Sequence, residues 1–108
     1  MAYSPRDTAR VARALGDPTR LRLIRLLAHG EVSCQELTRR LGLAQATVSH
    51  HLKVLSQAGL VAARKEGSFH WYRRMPEAFA AHARAVAALA PLPVQKPPRL
   101  RSIDGGRR

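Results

Sequence analysis

The feature that most restricts the fold is a change of hydrophobic period near residue 60. Before it, Val48, Leu52 and Leu55 stand at i, i+4 and i+7, the buried stripe of a helix from about Gln45 to Ala58 that Gly59 ends. After it, from Leu60 to Met75, helical spacing is lost. Glu66-Gly67-Ser68 separates two extended runs, Val61–Lys65 and Phe69–Arg73, the pattern of a β-hairpin with a short glycine-containing turn. Pro76 then opens a last helix to about Ala90, Ala-rich and with Phe79, Val86 and Leu89 on its apolar face.

The segments upstream of the change are all helical in period. Over residues 6–15, Ala9, Val11, Ala12 and Leu15 alternate with Arg6, Arg10 and Arg13, and Gly16 ends the run. Asp17-Pro18 is a helix start, with Asp17 as cap and Pro18 at the first helical position, where a missing N–H costs nothing. The helix it opens, through Leu27 or His29, is expected to bury Leu21, Ile24, Leu27 and Ala28 and to leave Arg20, Arg22 and Arg25 mostly outside. Ser33-Cys34-Gln35-Glu36 has the form of a capping box, and the short helix behind it turns Leu37 and Leu41 inward and Arg39 and Arg40 outward before Gly42. Two helices joined by a tight glycine-containing turn make a helix-turn-helix. With the hairpin the expected fold is mainly α with a small β-hairpin, a winged helix-turn-helix occupying residues 1–90. Residues 91–108 carry four prolines, two glycines and five cations, and are expected to form a disordered basic tail.

Charge narrows the function. The chain has 19 Lys and Arg against 7 Asp and Glu, a formal net charge of +12 on 108 residues, while 45% of its residues are hydrophobic. That is a globular body with a strong preference for an acidic polymer, most simply nucleic acid. No run approaches the length of a transmembrane helix, and the N-terminus has no apolar segment of the kind a secretory signal needs, so a cytoplasmic location is expected and no membrane partner. With one cysteine, Cys34, a single subunit can form neither a disulfide nor a thiolate zinc site. Paired carboxylates at usable spacing, a glycine-rich phosphate loop and a nucleophile–base set are all missing from the sequence, which argues against an enzyme.

The order of elements is joined by specific motifs: residues 15–27 (LGDPTRLRLIRLL), residues 46–61 (ATVSHHLKVLSQAGLV), Arg64-Lys65-Glu66-Gly67 and Trp71-Tyr72-Arg73. Over about residues 8–90 the chain resembles the ArsR/SmtB family of bacterial repressors. The resemblance implies a homodimer formed through the first and last helices, here Val11, Leu15, Phe79, Val86 and Leu89. It also implies binding to an inverted-repeat operator in nucleoid DNA and release by an inducer. Where that family often has Ser before the glutamine that opens the recognition helix and Pro one residue after it, this chain has Ala44 and Ala46. The missing side-chain cap costs the helix on the order of 1 kcal/mol.

The residues support DNA binding in their own right. With 48, 52 and 55 inward, Gln45, Thr47, Ser49, His50 and Lys53 are left on the solvent side of the helix, short polar groups suited to base edges in a major groove. Lys53 and the hairpin cations Arg64, Lys65 and Arg73 are expected to bind backbone phosphate, which positions a protein without reading sequence. Among the histidines, His50 is the better candidate for DNA and His51 is expected to be partly buried against the preceding helix. His70 lies on the wing, for phosphate or solvent, and His29 at a helix C-terminus.

No effector site is written plainly in the sequence. Metal sensors of the resembled family carry Cys-x-Cys near the start of the helix before the turn; here Ser33 and Gln35 stand at those positions, which excludes a soft thiolate site. Another family site lies on the last helix, where this chain offers only His82 and Glu77, candidates for nickel or zinc as the sole cofactor alternative. Cys34 is expected to pack in the core. The expected function is thus a sequence-specific, dimeric DNA-binding repressor whose inducer is not of the thiolate-metal type and has no recognisable site: effector-free, regulated by a partner protein, or a weak metal binder. The alternatives are a nickel- or zinc-responsive repressor, a non-specific basic nucleoid or RNA-binding protein, and a winged helix acting as a protein adaptor.

Overall fold

The computed structural model describes residues 3–90, and the expected tail lies outside them. Five helices and a three-stranded antiparallel sheet follow in the order α1 (Pro5–Leu15), α2 (Pro18–Leu26), β1 (Val32–Ser33), α3 (Cys34–Leu41), α4 (Gln45–Gln57), β2 (Val61–Glu66), β3 (Phe69–Arg74) and α5 (Pro76–Leu89). The winged helix-turn-helix is present, with the wing extended to three strands by β1.

Local chemistry sets most of the boundaries. α1 starts one residue earlier than its apolar spacing suggests, because Ser4 and Asp7 form a reciprocal capping box in front of it. Asp17 caps α2 by accepting from the Arg20 N–H at 3.1 Å, with Pro18 at the first position. α3 ends at Gly42, whose φ of +67° suits a residue without Cβ. Gly67, with φ +61°, takes the first place of the two-residue loop between Glu66 and Phe69, shorter than the three-residue turn expected from sequence.

The core lies where α1, α2, α3 and α4 meet the base of the wing. Leu23, Leu37, Val48, Leu52, Leu55 and Leu60 have no exposed surface, and Val11, Ala14, Ile24, Leu27, Leu41 and Val61 join them. Burying each leucine contributes about 1.5–3 kcal/mol, so the α4 stripe alone anchors that helix firmly. β3 is the central strand, pairing Val32 with Tyr72 and Ser33 with Trp71 on one side and Val61 through Glu66 with Arg74 through Phe69 on the other.

Two expectations on packing are corrected. Leu21 is 49% exposed, and Leu23 takes its place inside, because the apolar residues of α2 surround too much of the helix for spacing alone to choose its phase. Ser33 caps α3 by accepting from the Glu36 N–H, but Glu36 does not return the bond; its carboxylate is held by Arg39 and Arg40 instead. His51 is partly buried as expected, and its Nδ1 lies 3.1 Å from an Arg20 amino group of α2.

Candidate nucleic-acid interface

α4 presents its polar side without obstruction. Gln45, Thr47, Ser49, His50 and Lys53 are exposed, while Val48, Leu52 and Leu55 fix the other side of the helix in the core. Ala44 makes no side-chain cap bond, so the first-turn N–H groups of α4 stay unsatisfied by any side chain, and a helix N-terminus in that condition attracts phosphate. Ser49 is the member of the set with an internal partner: its Oγ lies 3.7 Å from the Sγ of Cys34, which is buried at the start of α3 as expected of a core cysteine. Gln45, Thr47, His50 and Lys53 have no side-chain hydrogen bond or ion pair among the described residues.

Residues that sequence spacing did not reveal hold α4 in position. Arg20 donates from Nε to the Ala14 carbonyl at 2.6 Å and from Nη2 to the Arg13 carbonyl at 3.1 Å, both at the C-terminal end of α1. Its remaining amino group points at His51 Nδ1. An arginine N–H only donates, so in this contact His51 Nδ1 is the acceptor. Asp17 lies 4.0 Å from the same ring. The Arg20 backbone N–H holds the Asp17 carboxyl below the usual carboxylate range, with Arg20 and His51 adding to the effect.

The wing divides its residues between two faces. Arg64 pairs across the strands with Trp71, Glu66 with Phe69 and Ala62 with Arg73; the opposite face carries Lys65, His70, Ala63 and Tyr72. Arg64 is not the free phosphate ligand expected from sequence. It chelates Glu31 at 2.8–3.2 Å, reaches Glu66 at 3.0 Å and lies 5.8 Å from the centre of the Trp71 ring. The Arg64 guanidinium in turn holds Glu31 below its ordinary range. The face of Arg64 therefore carries two carboxylates against Arg64 and Arg73, beside the Phe69 and Trp71 rings 6.3 Å apart. Lys65 and His70 are exposed on the other face, Arg73 is exposed with Nη1 3.3 Å from the Met75 sulfur, and Arg74 ties the wing base to the Ala28 carbonyl at 3.2 Å.

α5 differs from every other helix in having no buried residue. Phe79 and Leu15 are half-buried against the core, and Val11, expected at the dimer surface, is 3% exposed and already spent on the core of its own subunit. Val86 and Leu89 are 45% and 75% exposed. Between α1 and α5 runs an apolar hollow of about 440 Å³ lined by Tyr3, Ala9, Ala12, Ala85, Ala88 and Leu89, among others. His82 Nδ1 lies 3.3 Å from the Tyr3 hydroxyl. No group of three or more His, Cys, Asp or Glu side chains is placed to hold a metal ion among the described residues. No helix of the described residues is long and apolar enough to cross a membrane.

Comparison with known proteins agrees with this geometry. A helix-turn-helix domain family model matches residues 15–64. An uncharacterized HTH-type transcriptional regulator of Methanocaldococcus jannaschii is 45% identical over 65 residues, covering 59% of this chain and 73% of the relative. The arsenical resistance operon repressor of Staphylococcus aureus is 37% identical over 73 residues, 68% of each chain. Among solved structures, an ArsR family transcriptional regulator, RHA00566, superposes with a TM-score of 0.75 at 26% identity, covering 82% of this chain and 92% of the other. A homodimeric winged helix-turn-helix DNA-binding domain from Mycobacterium bovis gives 0.65 at 30% identity, covering 83% and 88%.

Proposed function

The chain belongs to the ArsR family of winged helix-turn-helix transcriptional regulators, and on that premise we propose that it represses transcription as a homodimer on an inverted-repeat operator. One observation carries the reading: α4 buries its whole apolar stripe and leaves Gln45, Thr47, His50 and Lys53 uncommitted on an open face. These side chains read base edges in the major groove, the uncapped first turn receives a phosphate, and Lys53, Lys65 and Arg73 bind the flanking backbone.

The homodimer reading is supported by α5, a fourteen-residue helix with no buried residue beside an apolar hollow shared with α1. A second copy supplies the missing partner, with Val86 and Leu89 meeting it alongside α1. The inducer is not held by thiolates, since Cys34 is single and buried. A nickel or zinc response through His82 and Glu77 requires further ligands from the second subunit; metal titration of the operator complex, with His82→Ala as control, separates that alternative.

Footprinting on the upstream region of its own gene, followed by titration of the protected duplex against random duplex of equal length, tests the proposal. A protected palindrome and discrimination of about 10³-fold or more at physiological salt are expected. Equal affinity for random duplex would establish a non-specific basic nucleic-acid binder instead.

A further inference from the structure

We propose that the outward face of α2, together with the end of α3, docks an acidic amphipathic helix of another protein, a regulatory partner that leaves the DNA-reading face free. The inference rests on operator binding by α4 and the wing.

α2 turns Leu23, Ile24 and Leu27 into the core, where it packs against α4, and so carries Arg22 and Arg25 on the opposite side with Leu21 beside them. Two hollows lie along this outer surface. One, of about 420 Å³, is lined by Pro18, Leu21, Arg22, Ile24 and Arg25; the other, of about 170 Å³, adds Leu26, Arg40 and Leu41. Both are lined by Arg22 and Arg25, so two adjoining hollows with aliphatic walls share one guanidinium rim, together referred to as a trough.

The neighbouring arginines are already occupied. Arg20 is bonded to the end of α1, and Arg39 and Arg40 grip Glu36, holding its carboxyl down to about 2. Arg22 and Arg25 have neither an ion pair nor a side-chain hydrogen bond among the described residues. Glu36 therefore cannot serve as their counter-charge, and the trough takes it from outside.

Charge complementarity and the aliphatic walls together select the occupant. A helix with leucines at i, i+3, i+4 and i+7 flanked by glutamates presents an apolar stripe and carboxylates at once. Duplex DNA presents phosphates without an aliphatic stripe, and it is engaged on the other side of α2. Guanidinium groups also match carboxylates bidentately, which a lysine rim would not.

The test uses the full-length chain and a labelled synthetic peptide of about five helical turns with leucines on one stripe and glutamates elsewhere. Fluorescence anisotropy should show saturable binding, at least tenfold tighter than for the same composition scrambled so that no stripe forms. The double variant Arg22→Glu/Arg25→Glu, and separately Leu21→Asp, should each weaken the peptide at least tenfold, with far-UV circular dichroism and operator affinity unchanged. Absence of binding, equal binding of the scrambled peptide, or peptide affinity unaffected by the double variant would overturn the proposal. So would a fall in operator affinity in the double variant as large as that of Lys53→Ala, because the arginines would then serve DNA. Failure of the operator reading itself appears elsewhere, in Gln45→Ala and His50→Ala variants that keep full operator discrimination.

Discussion

α4 and α5 are nearly equal in length, thirteen and fourteen residues, yet they meet opposite fates within one subunit. α4 puts three side chains at zero exposure into the core and keeps polar groups on the other side. α5 has no fully buried residue, although its apolar content is higher. The difference shows that a helix can be completed by its own chain or left for another molecule to complete. In α4 the open face is polar, as the proposed operator contact requires; in α5 it is apolar, as the proposed subunit contact requires. Arg64 makes a smaller version of the same contrast: its charge is answered by Glu31 and Glu66, whereas that of Lys53 is left for a phosphate.

The comparison can be broken most severely at α5. Val86→Glu combined with Leu89→Glu should convert the proposed dimer to monomer in sedimentation while the circular dichroism of the subunit persists. Loss of the second half-site should lower operator affinity by ~10²–10⁴-fold. A dimer that survives this change would place its interface elsewhere. At α4, Leu52→Ala removes a side chain with no exposure and should cost about 2–5 kcal/mol in denaturant unfolding, whereas Val86→Ala should leave the folding of the isolated subunit within about 0.5 kcal/mol. Gln45→Ala and His50→Ala should each cost about 1–3 kcal/mol of operator affinity with little change on random duplex, the mark of base reading. Equal losses on both duplexes would reduce those residues to phosphate contacts.

The wing supplies the smallest effect and reverses its sign. Glu31→Gln combined with Glu66→Gln frees Arg64 from both carboxylates, so affinity for any duplex should rise a few-fold and the salt dependence should steepen by about one phosphate contact. The pH dependence has a defined direction. The folded state lowers the pKa of Glu31, so the carboxylate form that holds Arg64 is stabilised above its ordinary range and lost as pH falls through the lowered value. Acidification should therefore loosen the Glu31 grip on Arg64 in the wild type, an effect absent from the Glu31→Gln variant over the same window. The Glu36 contact with Arg39 and Arg40 follows the same rule, present above about 4.5 and lost as pH falls toward about 2, which is measurable as acid destabilisation absent from Glu36→Gln.

The sequence disclosed these helices unequally, for physical reasons. The α4 stripe was legible because Val48, Leu52 and Leu55 are separated by polar residues, so only one phase of the helix buries them. α2 has Leu or Ile at 21, 23, 24, 26 and 27, and no spacing argument could separate the outward Leu21 from the inward Leu23. Caps within three or four residues, such as Asp17 and Ser33, were readable, although the Glu36 side chain preferred two arginines to its reciprocal bond. The pairing of Arg64 with Glu31 spans 33 residues and exists only once β1 lies beside β3, so the sequence offered no local sign of it. Val11 was assigned to the wrong side because α1 is nearly all small residues and arginines, and small residues suit a core and an interface equally.

Arg20 gives the molecule a ruler. It clamps the end of α1 to the start of α2 and to His51 on α4, so the helix proposed to meet a second subunit and the helix proposed to meet DNA are tied to one another. In a dimer joined through α1 and α5, the distance between the two reading heads is then a fixed length rather than an adjustable one. Such a protein tolerates changes in operator bases better than changes in half-site spacing, where inserting a single base pair both lengthens the gap and rotates one half-site out of reach. Arg20→Ala should relax that discrimination between correctly and incorrectly spaced operators while leaving the preferred half-site bases the same.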